Sequence, residues 1–146
     1  MELSVKQVRE VTGPLLEAFA RLMPQLSPLL EAPSAARLQA IVESPSAALF
    51  AAEAEGGIRG LLTLVWYDVP SGRKAWIEDV VVDAEARGTG AGRALVAAAL
   101  EHAAVIGAGK VLLTSNPARE AARALYRKMG FEEAATTVFA IKTDAK

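Results

Sequence analysis

The spacing of apolar and polar residues predicts that the chain opens with a strand and two helices. Apolar and polar residues alternate over Leu3–Val8, as they do in a half-buried strand. Apolar residues then recur at helical spacing until Pro24, which is expected to end the first helix. A second helix is expected to follow Ser34, a residue type favoured at the N-cap, and to end before Pro45.

Strands in an antiparallel run are predicted next. Ala48–Glu53 and Ile58–Tyr67 are apolar segments joined by Glu55-Gly56-Gly57, and adjacent glycines supply the positive φ that a tight hairpin needs. After a polar loop, Lys74–Val82 is expected to add a further strand.

The following segment predicts a strand, helix and strand unit. The helix is expected to end at Gly107-Ala108-Gly109. The next strand, Val111–Thr114, is expected to run parallel to Lys74–Val82, because consecutive strand, helix and strand form a right-handed crossover. One face of the helix carries residues that can pack closely on a sheet, namely Leu95, Ala98, Ala99, Ala103 and Ile106.

A last helix and a terminal strand complete the predicted fold. Asn116 is expected to cap the helix, with Pro117 in its first turn and Gly130 at its end. Val138–Lys142 is expected to form the final strand. Together the elements predict a mixed α/β fold, in which about four helices flank a central, mostly antiparallel sheet.

Composition and charge limit the classes of function. The 146 residues, 52% hydrophobic and 23% charged, fit a single domain over residues 1–146. A net charge of -1, with both signs mixed along the chain, argues against nucleic acid or an anionic membrane as a partner. The absence of cysteine excludes disulfides, thiolate metal sites and a cysteine nucleophile. Met1–Lys6 lacks the apolar core of a signal peptide, and no apolar stretch reaches the roughly twenty residues of a membrane span, so a cytoplasmic location is expected.

A glycine-rich turn separates the Lys74–Val82 strand from the helix that follows it. Glycine lacks a Cβ, so the backbone can adopt positive φ and approach a ligand closely. Successive N–H groups at the start of a helix converge on a phosphate, with the positive end of the helix dipole behind them. The turn therefore predicts a phosphorylated ligand, and its residues are Arg87, Gly88, Thr89, Gly90, Ala91 and Gly92.

The spacing of these glycines disfavours two common nucleotide-binding loops. A Rossmann fingerprint counted from Gly88 and Gly90 would need a third glycine where Arg93 stands, and an acidic residue that would hold a ribose is missing near Thr114. A Walker A loop needs a lysine and a wider spacing of its glycines, and this turn has neither. Dinucleotide binding and nucleotide hydrolysis are therefore disfavoured.

The order Arg-x-x-Gly-x-Gly, at Arg87, Gly90 and Gly92, resembles the pyrophosphate-binding loop of the GNAT family of N-acetyltransferases. The segment from Asn116 to Phe131 is similar to the family's second signature, a helix that ends in Leu-Tyr-x-x-x-Gly-Phe. The resemblance implies the GNAT fold and an enzyme that transfers the acetyl group of acetyl-CoA to a primary amine. The family's reaction is a direct attack in a ternary complex, without a metal.

The resemblance also implies which groups hold acetyl-CoA. By similarity, the N–H groups of the turn from Arg87 to Gly92 bind the pyrophosphate, with Arg93 as the first residue inside the helix. Main-chain groups of the Val80–Val82 segment, which includes Val81, would pair with the pantetheine arm, and the Val80 N–H would polarise the thioester carbonyl.

Two residues of the second signature are further candidate cofactor contacts. Asn116 and Arg119 match positions where the family often contacts the pantetheine or the nucleotide phosphate. Many members carry asparagine where this chain has Arg119, which leaves that contact open, and a plain helix cap is the alternative role of Asn116.

A general acid and a general base are implied as well. Tyr126 matches the family's tyrosine, which protonates the departing thiolate, while an amphipathic core tyrosine is the alternative. Glu78 is the leading candidate for the base, because it is expected to share a strand face with Val80 and Val82, and a glutamate there often relays a proton through water in similar enzymes. A carboxylate paired with an arginine is the alternative for Glu78.

The acceptor amine is left open by the sequence. Similar proteins act on small amines, amino sugars, amino acids or protein N-termini, because fold and cofactor do not determine the acceptor. A CoA-binding module without turnover and a structural domain without ligand are the alternative functions. Similar proteins often dimerise through their terminal strands, so a homodimer is a further option.

Overall fold

The computed structural model describes residues 2–145. The chain divides into two compact units, Met1–Thr114 and Ser115–Lys146. Among the described residues, the second unit contains one helix, α4 (Glu120–Lys128). The first unit contains, in order, β1 (Ser4–Val8), α1 (Gly13–Leu26), α2 (Ala35–Glu43), β2 (Ala47–Ala54), β3 (Gly57–Val69), β4 (Gly72–Val82), a 3₁₀ turn (Ala84–Ala86), α3 (Ala91–Val105) and β5 (Lys110–Leu112).

The strands of the first unit form one sheet, whose order follows the chain from β1 to β5. Neighbouring strands are antiparallel, except that β4 and β5 run parallel. Helix α3 connects that parallel pair. The predicted mixed, mostly antiparallel sheet and its strand, helix and strand unit are therefore confirmed.

Helices cover both faces of this sheet. Leu15 of α1 and Leu38 of α2 belong to the same buried cluster as Leu61 of β3, so these helices pack on the face to which Leu61 points. Gly60 is the neighbour of Leu61 along β3 and therefore faces the opposite side, where it lies against Leu95 of α3. The core is thus split into two layers by the sheet.

The two N-terminal helices follow the sequence prediction except at Pro24. The Ser34 hydroxyl accepts a hydrogen bond from the Arg37 N–H at 3.1 Å, which confirms Ser34 as the N-cap of α2. The prediction that α1 ends at Pro24 is wrong, because the helix continues for two further residues. Proline removes a single N–H donor, and the helix closes after it through the Ser27 N–H, which donates to the Met23 carbonyl at 3.1 Å.

The hairpin between β2 and β3 is confirmed, but the two residues with positive φ are not the predicted glycine pair. Glu55 and Gly56 adopt positive φ, at 52° and 75°, and Gly57 is already the first residue of β3. Two consecutive residues with positive φ match the twist of the flanking strands. Glutamate therefore occupies a position that glycine was expected to hold.

The helix of the second unit begins later than predicted. Its first residue is Glu120, so Asn116 is not its N-cap and Pro117 lies outside it. The Asn116 Oδ1 instead accepts the Ala118 N–H at 2.8 Å, which closes a tight turn ahead of the helix.

The predicted strand at Val138–Lys142 is absent, since residues 132–145 contain no strand. Val138, Phe139 and Ile141 are exposed instead, at 67%, 92% and 91%. The alternation of this segment favours a strand, but a strand also needs a hydrogen-bonding partner, and alternation alone does not supply one. This part of the prediction is wrong.

Candidate active site

A β-bulge interrupts β4 just ahead of the glycine-rich turn. Thr63 pairs with Glu78 and Leu61 pairs with Val81, so Leu62 alone on β3 lies opposite Asp79 and Val80 on β4. Asp79 adopts φ 49°, a conformation that residues other than glycine rarely take. Such bulges reorient a strand and are common next to active sites.

The bulge changes which side chains share a face. Residues paired across two strands point to the same side, so Glu78 shares its face with Val81. Val82 pairs with Gly60 and therefore lies on the opposite face. The expectation that Glu78 shares a face with Val82 is therefore wrong, because it assumed an uninterrupted two-residue period, and Val80 lies in the bulge without a paired residue on β3.

The backbone of β4 has an open edge beside the bulge. Strand β5 pairs with β4 only over Lys74, Ala75 and Trp76. Beyond Trp76, no other strand of the described residues pairs with this side of β4, so main-chain groups of the segment that contains Val80, Val81 and Val82 are accessible for pairing there. An extended ligand could pair with this edge as another strand would.

The glycine-rich turn leads into the N-terminus of α3. Gly88 and Gly90 adopt φ 78° and 90°, as expected for a turn that needs glycine. Gly90 is the N-cap residue, and no side chain of residues 2–145 caps this end of the helix. The N–H groups of the first turn, from Ala91 to Arg93, consequently lack an acceptor within the helix.

This turn is shaped as an open cradle. A Cβ added to Gly88 or Gly90 would meet no atom within 4 Å, so the space in front of both residues is free. The Thr89 hydroxyl and N–H both donate to the Ala86 carbonyl, the N–H at 3.3 Å, and hold the turn in place. Several N–H donors, a helix N-terminus and free space are what a pyrophosphate needs, so the residues present fit that group.

Glu78 carries a carboxyl group suited to accepting a proton. Partial burial, and then the negative charge of the adjacent Asp79, raise the pKa of Glu78 above its ordinary value. Both effects disfavour the charged carboxylate, because burial removes part of its hydration and the Asp79 charge repels it. A carboxylate with a raised pKa is a stronger base than an ordinary glutamate.

Tyr126 lies at the C-terminal end of α4, in a motif that explains its sequence context. The Phe131 N–H donates to the Tyr126 carbonyl at 2.9 Å, and the Gly130 N–H donates to the Arg127 carbonyl at 3.0 Å. With Gly130 at φ 101°, this is a Schellman motif, and the Tyr126 and Phe131 rings stack edge to face at 5.9 Å across it. The Leu-Tyr-x-x-x-Gly-Phe signature therefore encodes a helix end as well as a tyrosine.

The electrostatics of Tyr126 favour its protonated form. The side chain is buried. Burial raises the pKa of its hydroxyl above the ordinary value, against the weaker opposing effect of the Arg119 charge. Tyr126 thus keeps its proton at neutral pH, as a general acid must.

The structure places the predicted site residues in both units. Glu78, the β4 backbone and the cradle lie close along the chain in the first unit, while Asn116, Arg119 and Tyr126 belong to the second. Sequence reasoning missed the positive φ of Asp79 at the bulge, because aspartate tolerates that conformation without requiring it.

The structure also has a cavity that does not include the predicted site residues. A cavity of about 810 Å³ is lined by β1, the start of α1 and the β2–β3 hairpin, and the predicted site residues are not among its lining residues. Residues 2–145 contain no cluster of three or more acidic or histidine side chains placed to bind a metal ion. Within the same range, every helix is too short or too polar to cross a membrane.

The model of the acetyltransferase (GNAT) family matches residues 15–131, which is most of the chain. The chain belongs to the GNAT acetyltransferase family. It is therefore an acyltransferase, of a family that uses acetyl-CoA, as the two sequence signatures predicted. No curated protein sequence matches the chain.

Solved structures share the fold of this GNAT protein over nearly its whole length. A proposed acetyltransferase from Agrobacterium tumefaciens str. C58 is 27% identical with a TM-score of 0.81, covering 96% of this chain and 99% of its own. AAC(6')-Iy, in complex with a bisubstrate analogue of CoA and acetylneamine, is 22% identical with a TM-score of 0.78, covering 98% and 99%. A ribosomal-protein-alanine N-acetyltransferase from Brucella melitensis biovar Abortus 2308 is 19% identical with a TM-score of 0.77, covering 97% and 99%.

Proposed function

We propose that this GNAT acetyltransferase moves the acetyl group of acetyl-CoA to a primary amine by direct attack. The observation that supports the proposal most is the open cradle of backbone N–H groups at the start of α3, which follows directly after the bulged, open edge of β4. Acetyl-CoA supplies the acetyl group as a thioester, which an amine can attack without a metal or a covalent enzyme intermediate.

Backbone groups would carry most of the cofactor binding. The N–H groups of Gly88 and of Gly90 to Arg93 would bind the pyrophosphate, while those of Arg87 and Thr89 donate within the turn and hold its shape. Main-chain groups of Val80 and Val82 would pair with the pantetheine arm. The Val80 N–H would donate to the thioester oxygen as negative charge develops there, and a single such donor contributes about 3 to 4 kcal/mol in other enzymes. Within residues 2–145 the Asn116 Oδ1 holds the turn and its amide NH₂ has no hydrogen-bond acceptor, so the NH₂ would be available to the cofactor, and Arg119 would add positive charge.

Two side chains would transfer the protons. Glu78, whose pKa is raised, would accept the proton that the substrate ammonium must lose before its nitrogen can attack. As the carbon–nitrogen bond forms and the carbon–sulfur bond breaks, Tyr126 would donate its proton to the departing sulfur. The second proton that the attacking nitrogen loses would return by way of solvent to the Tyr126 oxygen, and Glu78 would release its proton to solvent. The products are an acetylated amine and CoA with a free thiol.

The acceptor would be a primary amine, and its identity stays open. AAC(6')-Iy binds an analogue of acetylneamine, whereas the Brucella enzyme is a ribosomal-protein-alanine N-acetyltransferase. These structures are 22% and 19% identical to the chain, so they support the fold and leave both small amines and protein N-termini as candidates.

Calorimetric titration with CoA and acetyl-CoA tests the proposal. Wild type is expected to bind both, and Gly90→Glu is expected to abolish binding, because it places a carboxylate in the open space of the cradle. Gly107→Glu is the matched control: Gly107 has φ 80° and equally free space, but it lies at the far end of α3. Loss of binding in Gly90→Glu alone, followed by thiol release with a panel of amines, would support the reaction, whereas a folded wild type that binds neither ligand would contradict it.

A further inference from the structure

Asp83 is a buried carboxylate immediately ahead of the cradle. It is 4% exposed, and among residues 2–145 it is the only buried residue that carries a formal charge. Its N–H donates to the Arg59 carbonyl at 2.8 Å, and its Oδ1 accepts the Glu85 N–H at 3.2 Å, so it caps the 3₁₀ turn that leads to Arg87. A buried charge is costly unless it is paired, so Asp83 needs a partner of opposite charge.

That partner is Arg21 of α1, which lies 62 residues earlier in the chain. The Arg21 Nη1 donates to the Asp83 Oδ2, and its Nη2 donates to the Ile58 carbonyl at 2.9 Å. A guanidinium can make both contacts at once because its donors are fixed in a planar fork. Arg21 therefore joins α1, the start of β3 and the residue that follows β4.

Gln25 makes a second contact from the next turn of α1. Its Oε1 accepts the Ala84 N–H at 2.8 Å. Ala84 is the first residue of the 3₁₀ turn, so Arg21 and Gln25 hold two adjacent positions, Asp83 and Ala84, against one helix. Helix α1 is itself anchored in the core, where Leu15 and Leu22 are buried.

We propose that Arg21 and Gln25 are positioning residues for the cofactor-binding loop, which hold the 3₁₀ turn against α1 and so pre-arrange the cradle. The inference rests on the proposed function, because it assumes that the cradle binds CoA. The loop from Arg87 to Gly90 contains two glycines and would otherwise sample many conformations. Ordering such residues opposes binding, so a loop held in place before the ligand arrives binds more tightly.

The same exchange of glutamine for methionine at two positions tests the inference. Gln25→Met removes the acceptor for the Ala84 N–H at an exposed position, where the protein should still fold. Its Kd for CoA, measured by calorimetry, is expected to rise about 10-fold, the effect of freeing roughly one backbone residue. Gln39→Met makes the same exchange at an exposed position of α2, where Gln39 donates to Glu43, and is expected to leave the Kd unchanged.

A second pair addresses Arg21. Arg21→Lys keeps a positive charge beside Asp83 but loses the fork that also reaches Ile58, so a rise in the Kd for CoA is expected here too. Glu17→Gln removes the exposed partner of Arg21, whose carboxylate lies 3.0 Å from the Arg21 Nε, and it should leave the Kd unchanged.

Hydrogen exchange in the absence of ligand provides a readout that does not depend on CoA. The Ala86 and Thr89 amides, which donate to the Asp83 and Ala86 carbonyls, are expected to exchange faster in Gln25→Met than in wild type, while those in the middle of α3 keep their protection. Unchanged exchange and an unchanged Kd in folded Gln25→Met, with wild type binding CoA, would overturn the inference alone. Failure of wild type to bind CoA would overturn the proposed function and, with it, the role of these residues in binding.

Discussion

Replacing Gly60 by alanine should push α3 away from the sheet. A Cβ at this position would lie 2.9 Å from the Leu95 Cδ1, 3.1 Å from the Val81 carbonyl oxygen and 3.5 Å from the Val82 Cγ2. Separations below 3.0 Å are essentially never seen for real Cβ atoms, so some group must move. Neither close neighbour moves easily, because the Leu95 side chain is fully buried and the Val81 oxygen belongs to the backbone.

The free energy of unfolding should fall by about 1 to 2 kcal/mol. Overfilling a well-packed core costs about 1 to 3 kcal/mol. Alanine in place of glycine inside a strand returns about 0.5 to 1 kcal/mol, because the unfolded chain loses freedom. For a chain of this size, the net loss corresponds to a decrease in the thermal midpoint of roughly 2 to 8 °C.

Thermal unfolding of Gly60→Ala and Gly57→Ala measures the effect against a matched control. Gly57 also lies in β3, but its Cβ would meet only the flexible end of Arg59, at 3.4 Å, so this variant should keep the gain of about 0.5 to 1 kcal/mol and unfold roughly 1 to 4 °C above wild type. In a Leu95→Val background, which lacks the clashing Cδ1, Gly60→Ala should cost at least about 0.5 kcal/mol less. Equal thermal midpoints for the two glycine variants would refute the close approach of α3 to β3.

Two further predictions concern the proton-transfer groups. Because the pKa of Glu78 is raised, activity should increase with pH through a midpoint above the pKa of an ordinary glutamate. Glu78→Gln should remove this pH dependence, and Asp79→Asn should move its midpoint to lower pH. If both variants have the same pH profile as wild type, Glu78 is excluded as the base. Because the pKa of Glu78 is raised in the folded state, its carboxyl group contributes to stability fully at pH values below the unfolded-state pKa, and this contribution is lost as the pH rises through the folded-state pKa. Glu78→Gln should therefore be at least as stable as wild type at pH 7. Tyr126→Phe keeps the ring that packs on Phe131 and should reduce kcat by about 100-fold or more at saturating substrate. If kcat is unchanged while the chemical step limits the rate, Tyr126 is not the general acid.

The order of the elements in the first unit could be predicted because each leaves a local pattern. The Ser34 cap of α2 depends on one residue and its immediate neighbours. The hairpin at Glu55 and Gly56 also depends on a few consecutive residues, although the exact residue with positive φ does not follow from glycine content. Local chemistry decides such features, so a single sequence reveals them.

The features that could not be predicted depend on contacts between distant segments. The bulge at Asp79 depends on how β4 registers with β3, and the sequence from Ile77 to Val82 has the pattern of an uninterrupted strand. The pairing of Arg21 with Asp83 joins α1 to the end of β4. The segment Val138–Lys142 has the alternation of a strand but no strand forms there, because alternation does not specify a partner.

This difference explains why the sequence identifies the cofactor more readily than the acceptor. In the proposed function a pyrophosphate is bound by backbone N–H groups, and a backbone with positive φ at Gly88 and Gly90 favours glycine, which is visible in the sequence. An acceptor amine would instead be recognised by side chains from several elements. Tyr67 of β3 accepts a hydrogen bond from the Trp76 Nε1 at 2.9 Å, and the strand register places both side chains on the same face as Glu78. The spacing of Tyr67, Trp76 and Glu78 in the sequence does not predict that they lie together. Determining the acceptor therefore requires the substrate panel, whereas the cofactor follows from the family and the shape of one loop.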